Sequence, residues 1–472
     1  MRRPAIAALS LVAMLLASAC AAPDLGPKPV TKVVGAQQLF AGPVADWPAE
    51  DWWTRYDDPQ LTSLIDTGLT GAPTIAIAEA RLRRASALVG QASAAQFPSV
   101  STSAAIGESK PSYTTGLPTP PALHGWNDTG RLALDFSYEL DLWGKTRASI
   151  AAATSEEAAA RADAAAARLI VSTSIAAAYA DLARLFADRD VLASTLAVRE
   201  QTLDLVRRRT ERGYDSEAEL RQAEVGPPLA RAELEAIDEQ VALTRLRLAS
   251  LMGQAPDRAA SIARPKVTSL QGLGLPADLP SALIARRPDL VAARWRAEAA
   301  SERIDVAHAA FYPNVNLVGL IGAQSLGIGN LVNAGSDFGA VGPVLGLPIF
   351  DGGRRKAGFK VARADYDAAV AAYDATLNLA IEEVADAVTS QRALEQRLSE
   401  SRKAQVAASE GWRLAKRRYT AGATDFTPVL LAEDRMLAAQ RAVSALESRH
   451  FILDLALVRA LGGGWREEAP SA

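Results

Sequence analysis

The groups in this 472-residue chain that could do chemistry are one thiol, three imidazoles and scattered carboxylates. His124, His308 and His450 lie far apart in sequence and no second cysteine joins them, so no Cys/His metal cluster is expected, while carboxylate sites stay open. His308 and His450 fall on helical stretches, where a packed or solvated imidazole is the ordinary case. Ser-His-Asp sets can be drawn, but no nucleophile motif supports one. The pair Gly352-Gly353 lacks the lysine spacing of a phosphate loop, and Gly462-Gly-Gly464 follows a helix and caps it. Glu382-Glu383 and Arg207-Arg208-Arg209 read as solvated helix faces. No catalytic residue, metal or non-covalent cofactor is expected, and the chain is not expected to be an enzyme. The balance of 51 basic against 54 acidic residues, interspersed, gives a net charge of −3 and no basic face, which argues against nucleic acid as a partner.

Cys20 is the exception, because its position carries chemistry. Arg2 and Arg3, an apolar stretch from Ala5 to Leu16 and the small residues Ala17-Ser-Ala19 form a secretory signal, too short at about 12 apolar residues to span a bilayer. The run Leu16-Ala-Ser-Ala-Cys20 resembles a bacterial lipobox, with its leucine one place early. Lipidation would make Cys20 the palmitate-bearing N-terminus and hold the chain on a membrane without a transmembrane helix. An ordinary cleavage site beside an incidental cysteine is the other reading. If the lipid is there, Ala21 in place of Asp directs the protein to the outer membrane, by the sorting rule of enteric bacteria.

The elements that would position any site occur twice. Gln91-Ala-Ser-Ala-Ala-Gln-Phe-Pro-Ser-Val returns as Val306-Ala-His-Ala-Ala-Phe-Tyr-Pro-Asn-Val, and Leu140-Asp-Leu-Trp-Gly-Lys is echoed by Ile349-Phe-Asp-Gly-Gly-Arg. The spacing stays near about 210 residues, the mark of an internal duplication. Leu132, Leu134, Phe136, Tyr138, Leu140 and Leu142 alternate with Ala133, Asp135, Ser137, Glu139 and Asp141. Period two with an apolar face opposite acids fits a strand between lipid and water, and equally a strand of a soluble barrel or sandwich. Asn314–Ala323 and Asp337–Ile349 alternate less cleanly, and Pro343 and Pro348 imply an edge or bent strand. From Lys145 to Arg212, and from Gly353 to Thr420, proline is absent and glycine nearly so. Continuous helices there would each be about 100 Å long. Gly226-Pro227-Pro228 must kink or break the first returning helix.

Six motifs together resemble the outer-membrane factor (TolC-like) efflux family, and within it the NodT-type outer-membrane lipoproteins. They are Trp52-Trp53…Asp58-Pro59-x-Leu61, Tyr138-Glu-Leu-Asp-Leu-Trp-Gly-Lys145, Leu279-Pro-Ser-x-Leu283-x-x-x-Arg287-Pro-Asp-Leu290, Phe311-Tyr-Pro313, Leu347-Pro-x-Phe350-Asp-Gly-Gly-Arg354 and Ala460-Leu-Gly-Gly-Gly-Trp465. The resemblance covers nearly the whole chain. It implies an α+β membrane protein, a two-repeat protomer of a homotrimer. The trimer would share a 12-stranded outer-membrane β-barrel, continued by a long periplasmic α-helical barrel with an equatorial belt. A chain with four strands leaves edges unpaired in lipid, and a lone hairpin of such helices has no core, so partners answer both problems.

The expected organisation is a signal peptide over 1–19, a lipidated tether over 20–58 and a first repeat over 59–265, with strands about 99–142 and a helix hairpin about 145–252. An equatorial linker over 266–288 leads to a second repeat over 289–472, with strands about 314–349, a hairpin about 353–461 and a tail. The implied function is a passive duct that an inner-membrane pump uses through a periplasmic adaptor. A duct for secreted proteins or metal ions, and a non-conducting lipid-anchored scaffold, are the alternatives. By resemblance the adaptor docks on the helix tips, at Gly213, Tyr214 and Asp215 and at Gly422, Ala423 and Thr424; helix capping explains the same glycines. Relatives often place an Asp ring inside the tip, but here Leu431 stands in that position. An apolar constriction closing by dewetting is expected instead, with Glu433 and Asp434 either adding charge nearby or lying on the surface.

Overall fold

A computed structural model describes residues 22–31, 49–114, 120–121, 124–266 and 281–467. The signal segment, Cys20, residues 32–48 of the tether and most of the expected linker lie outside these described residues. Contacts divide the chain into two compact units. Of the described residues, the first takes those within 83–159 and 293–373 together with 22–31; the second takes 49–82, 160–266, 281–292 and 374–467. The units cut across the sequence repeats, each drawing on both. A strand pair completes its hydrogen bonds only against another strand pair, and a helix hairpin buries its stripe against another hairpin.

The first unit is built on β1 (Ser99–Ser109), β2 (Asn127–Leu140), β3 (Asn314–Leu326) and β4 (Asp337–Gly346). They form one antiparallel sheet in the order β1-β2-β3-β4, so the two repeats meet at the β2–β3 seam. Register sorts the side chains. Val100, Phe136, Gly319 and Val341 stand in one row, Thr102, Leu134, Ile321 and Gly339 in the next, and Leu140, Val315 and Leu345 in another. Rows on the opposite face hold Ser101, Asp135, Leu320 and Ala340, then Ala105, Arg131 and Gln324. Directly opposed residues point the same way, so the apolar alternation of β2 extends over the sheet as one face. Val100, Ile106, Leu132, Leu134, Ile321, Val341 and Leu345 are exposed on it. Pro343 sits in the edge strand β4, the place where a missing N–H is tolerated. That strand ends at Gly346, short of Pro348.

The strands hand over to α3 (Lys145–Glu211) and α7 (Arg354–Thr420). An aspartate holds each start. Asp141 accepts from the backbone N–H of Thr146 and Arg147 at 3.1 and 3.0 Å, and Asp351 from those of Gly353 and Arg355 at 3.0 and 3.2 Å. Partial burial opposes the charge on Asp141, but these backbone donors outweigh it and its carboxyl titrates below the usual range. Asp351 is likewise held low, chiefly by the Arg355 side chain. Beside this junction Trp143 stacks on Tyr312 at 4.8 Å and donates to the Pro313 carbonyl at 2.7 Å. The N-terminal residues dock here as an extended strap: Arg363 donates to the carbonyl oxygens of Gly26 and Pro27, and Tyr366 to that of Pro29. Lys28 reaches Ser301 on α6 (Pro288–Ala309) at 3.3 Å.

The second unit holds the main apolar core. Trp52, Trp53 and Tyr56 come from a 3-10 turn, and Leu61, Leu64 and Ile65 from α1 (Pro59–Gly71). They pack on Ile175, Ala176, Tyr179 and Leu182 of α3 and on Phe451, Leu455 and Val458 of α8 (Thr427–Ala460). Of the two aspartates ahead of Pro59, Asp58 makes the cap, accepting from the N–H of Gln60 and Leu61 and from the Tyr179 hydroxyl at 2.8 Å. Arg287, of the Arg-Pro-Asp-Leu motif, is buried and fully engaged by Asp289, Glu383 and the Ala460 carbonyl. The remaining helices are α2 (Pro73–Ala94), α4 (Glu217–Glu224) and α5 (Gly226–Leu251). The Gly-Pro-Pro break separates α4 from α5 at the single residue Val225, which keeps helical dihedrals of φ −70 and ψ −34. Two missing N–H groups interrupt the ladder without reversing the chain.

Candidate docking and closure site at the helix tips

Both long helices end in the same way. The Gly213 N–H donates to the Thr210 carbonyl at 2.9 Å and the Tyr214 N–H to that of Arg209 at 2.9 Å. In the second copy the Gly422 N–H donates to Tyr419 at 3.0 Å and the Ala423 N–H to Arg418 at 2.8 Å. This paired closure needs a left-handed residue after the helix, and Gly213 and Gly422 supply it at φ +74 and +73. Beyond the adjoining residues, no described atom lies within 4 Å of the place where a Cβ would stand on either one, so the backbone conformation alone calls for glycine here. The two turns are 209 residues apart (213 to 422), as are both ends of the long helices (145 to 354 and 211 to 420).

Past the glycines the copies diverge, and the tips are tied together. Asp215 turns inward, its side chain only 4% exposed, and accepts from Arg209 Nε at 2.9 Å and from the Tyr419 hydroxyl. Arg209 also donates to the Tyr419 carbonyl at 3.1 Å, and its guanidinium lies 4.3 Å from the Tyr419 ring centre. Burial first, then the bond to Asp215, pushes the Tyr419 phenol well above its ordinary range, so it stays a donor. Beneath the tie, Val206 and Ala223 of the first tip pack on Tyr419, Phe426 and Val429 of the second.

The expected docking residues are thus not equivalent. Gly213, Tyr214, Gly422 and Ala423 are exposed, Tyr214 by 72%, whereas Thr424 is half-buried and the Asp215 carboxylate is spent on the internal tie. The expected closure residues separate as well. Leu431 is 54% exposed on α8. Glu433 is 2% exposed, accepts from the Thr202 hydroxyl at 3.0 Å and stands 4.0 Å from Arg199. Two residues along a helix is more than half a turn, so Glu433 faces α3 while Leu431 faces away. Asp434, three residues from Leu431, shares its side; it is 68% exposed and pairs with Arg199 at 3.4 Å. Burial lifts the Glu433 carboxyl above its usual range, against the bond from Thr202 and the charge of Arg199.

No local pattern in the sequence marks Thr202 or Arg199 for this site. Arg209 sits in a run that reads as a solvated face, and Tyr419 has only its place three residues before Gly422 to mark it. Among the described residues no His, Cys, Asp and Glu group could hold a metal ion. Interlocked turns, a buried tie and an exposed leucine suit mechanical closure and protein contact.

The sequence matches the family described as Outer membrane efflux protein in two stretches, residues 64–254, within the first repeat, and 279–463, which begins in the linker and runs through most of the second. The fusaric acid resistance protein FusA of Burkholderia cepacia is 34% identical over 76% of this chain and 69% of its own length. The outer membrane protein OprJ of Pseudomonas aeruginosa is 30% identical over 99% of this chain and 98% of its own. The crystal structure of the outer membrane protein VceC from Vibrio cholerae is 43% identical, with a TM-score of 0.83 over 88% of this chain and 99% of that one.

Proposed function

This chain belongs to the outer membrane efflux protein family, and we propose that it works as the exit duct of a tripartite pump, as a lipid-anchored homotrimer. It resides in the outer membrane and serves efflux; the family is one of transport ducts and not of enzymes. The observation that carries the finer reading is the sheet. Four strands with one apolar face, an opposite face that is mainly polar on β1 and β2, and two unpaired edges, β1 and β4, satisfy their backbone in lipid only when β4 of one copy pairs with β1 of the next. Three copies give twelve strands, within the size range of outer-membrane barrels. The exposed turns Gly213-Tyr214 and Gly422-Ala423 would receive a periplasmic adaptor. Leu431 would narrow the periplasmic end, repeated by threefold symmetry, and Glu433 would brace it from behind. Covalent lipid on Cys20 would hold the strap end at the membrane.

Purified full-length protein, sized in detergent and recorded in planar bilayers, tests this reading. A trimer with discrete conductance is expected. A monomer that never conducts, with or without an adaptor, would favour the non-conducting scaffold. The pumped solute, a drug rather than a metal ion or a secreted protein, is tested by survival of a deletion strain carrying each cognate pump.

A further inference from the structure

Charge on the polar face of the sheet is sparse and layered. Strand register places Arg131, Asp135 and Glu139 there, while the other charged strand residues, Glu108, Asp128 and Asp337, fall in rows of the apolar face near the strand ends that meet at the Asn127 and Asp337 side. Glu139 is compensated by Lys145 at 3.0 Å. Asp135 accepts one hydrogen bond, from the Ser103 hydroxyl at 3.0 Å, and has no ion-pair partner among the described residues. Arg131 has no ion-pair partner among the described residues; its guanidinium lies 5.2 Å from the Phe338 ring centre, across β3. That contact orients a cation without neutralising it. Arg131 and Asp135 are four residues apart on one strand, so they stand about 13 Å apart along it. This exceeds the screening length of about 8 Å at physiological ionic strength, and each charge acts at its own level.

We infer that Arg131 and Asp135 set the ionic selectivity of the barrel, as two opposed charge rings in series that a leaving solute must cross, with Phe338 positioning the cationic one. The inference rests on the trimeric duct: threefold repetition turns each residue into a ring, and closing the sheet turns the polar face to the lumen. A charged ring raises the local concentration of its counter-ion and bars its co-ion. The acidic ring comes first on the way out, since β2 runs from its outer end at Asn127 to the α3 junction after Leu140.

Reversal potentials of the reconstituted full-length protein under a dilute KCl gradient test the inference. Arg131→Gln is expected to raise the cation-to-anion permeability ratio about twofold or more, and Asp135→Asn to lower it by a similar factor. Arg131→Lys should keep the parent ratio, and Phe338→Leu should give part of the Arg131→Gln shift. All shifts should vanish near 1 M salt, where screening acts over about 3 Å. Open channels with the parent's reversal potential in both Arg131→Gln and Asp135→Asn would overturn the charge-ring assignment and leave the duct intact. A parent protein that conducts nothing would overturn the duct, and this inference with it.

Discussion

Tyr419→Phe removes one oxygen from the tie between the tips and leaves the ring in its apolar seat. The lost hydroxyl donates to a carboxylate that is 4% exposed and otherwise held by Arg209. A hydrogen bond to a charged, sheltered group is worth about 1.5–3 kcal/mol. If the tie must break for the tips to part, its loss raises the parted population of each protomer roughly 10- to 100-fold. Three protomers parting together would multiply that factor. The assay is resting conductance in planar bilayers, paired with vancomycin sensitivity of cells that carry the variant as their sole efflux duct. Both should rise while trimer yield stays at the parent level. Tyr214→Phe, changed at a residue that is 72% exposed, should alter neither and serves as the control. Asp215→Asn should act in the same direction as Tyr419→Phe. If both tie variants conduct at rest like the parent, the tie does not hold the tips and the reasoning fails.

Leu431→Ala should also raise resting conductance and antibiotic leakage, since it widens an exposed face of α8 without touching the tie; equal conductance removes Leu431 from the constriction. Glu433→Gln should behave differently. A carboxyl whose folded value is raised binds its proton more readily folded than unfolded, so its charge costs stability at neutral pH and the cost is relieved as pH falls through the raised value toward the ordinary one. Glu433→Gln should therefore melt higher than the parent at pH 7 and lose that advantage in acid; a gap independent of pH refutes the assignment. Cys20→Ala should leave the trimer competent to insert but lower its membrane yield, and an unchanged mass after globomycin treatment would show that no lipid is attached.

Much of the architecture was legible because it rests on local rules. The alternation in β2 survives as one face of a sheet, and the proline-free stretches became helices of 67 residues each. Gly226-Pro227-Pro228 announced its break, though not that Val225 would keep helical dihedrals. The tips were legible as turns and illegible as a joint. Arg209 and Tyr419 lie 210 residues apart in sequence, and nothing local links them. Leu431, Glu433 and Asp434 read as one patch because they are close in the chain, yet a helix turns about 100° per residue and sets Glu433 apart from the other two. Asp215 looked like a docking contact by position, whereas its charge is consumed inside the protomer.

The equal lengths of α3 and α7 work as a ruler. Deleting seven residues from α3 alone would retract its tip by about 10 Å and draw Arg209 and Asp215 out of reach of Tyr419. The matching deletion in α7 should restore the meeting. Length change in either copy is therefore tolerable only when mirrored in the other. Chimeras that exchange whole helix pairs between relatives should assemble where exchanges of single helices do not.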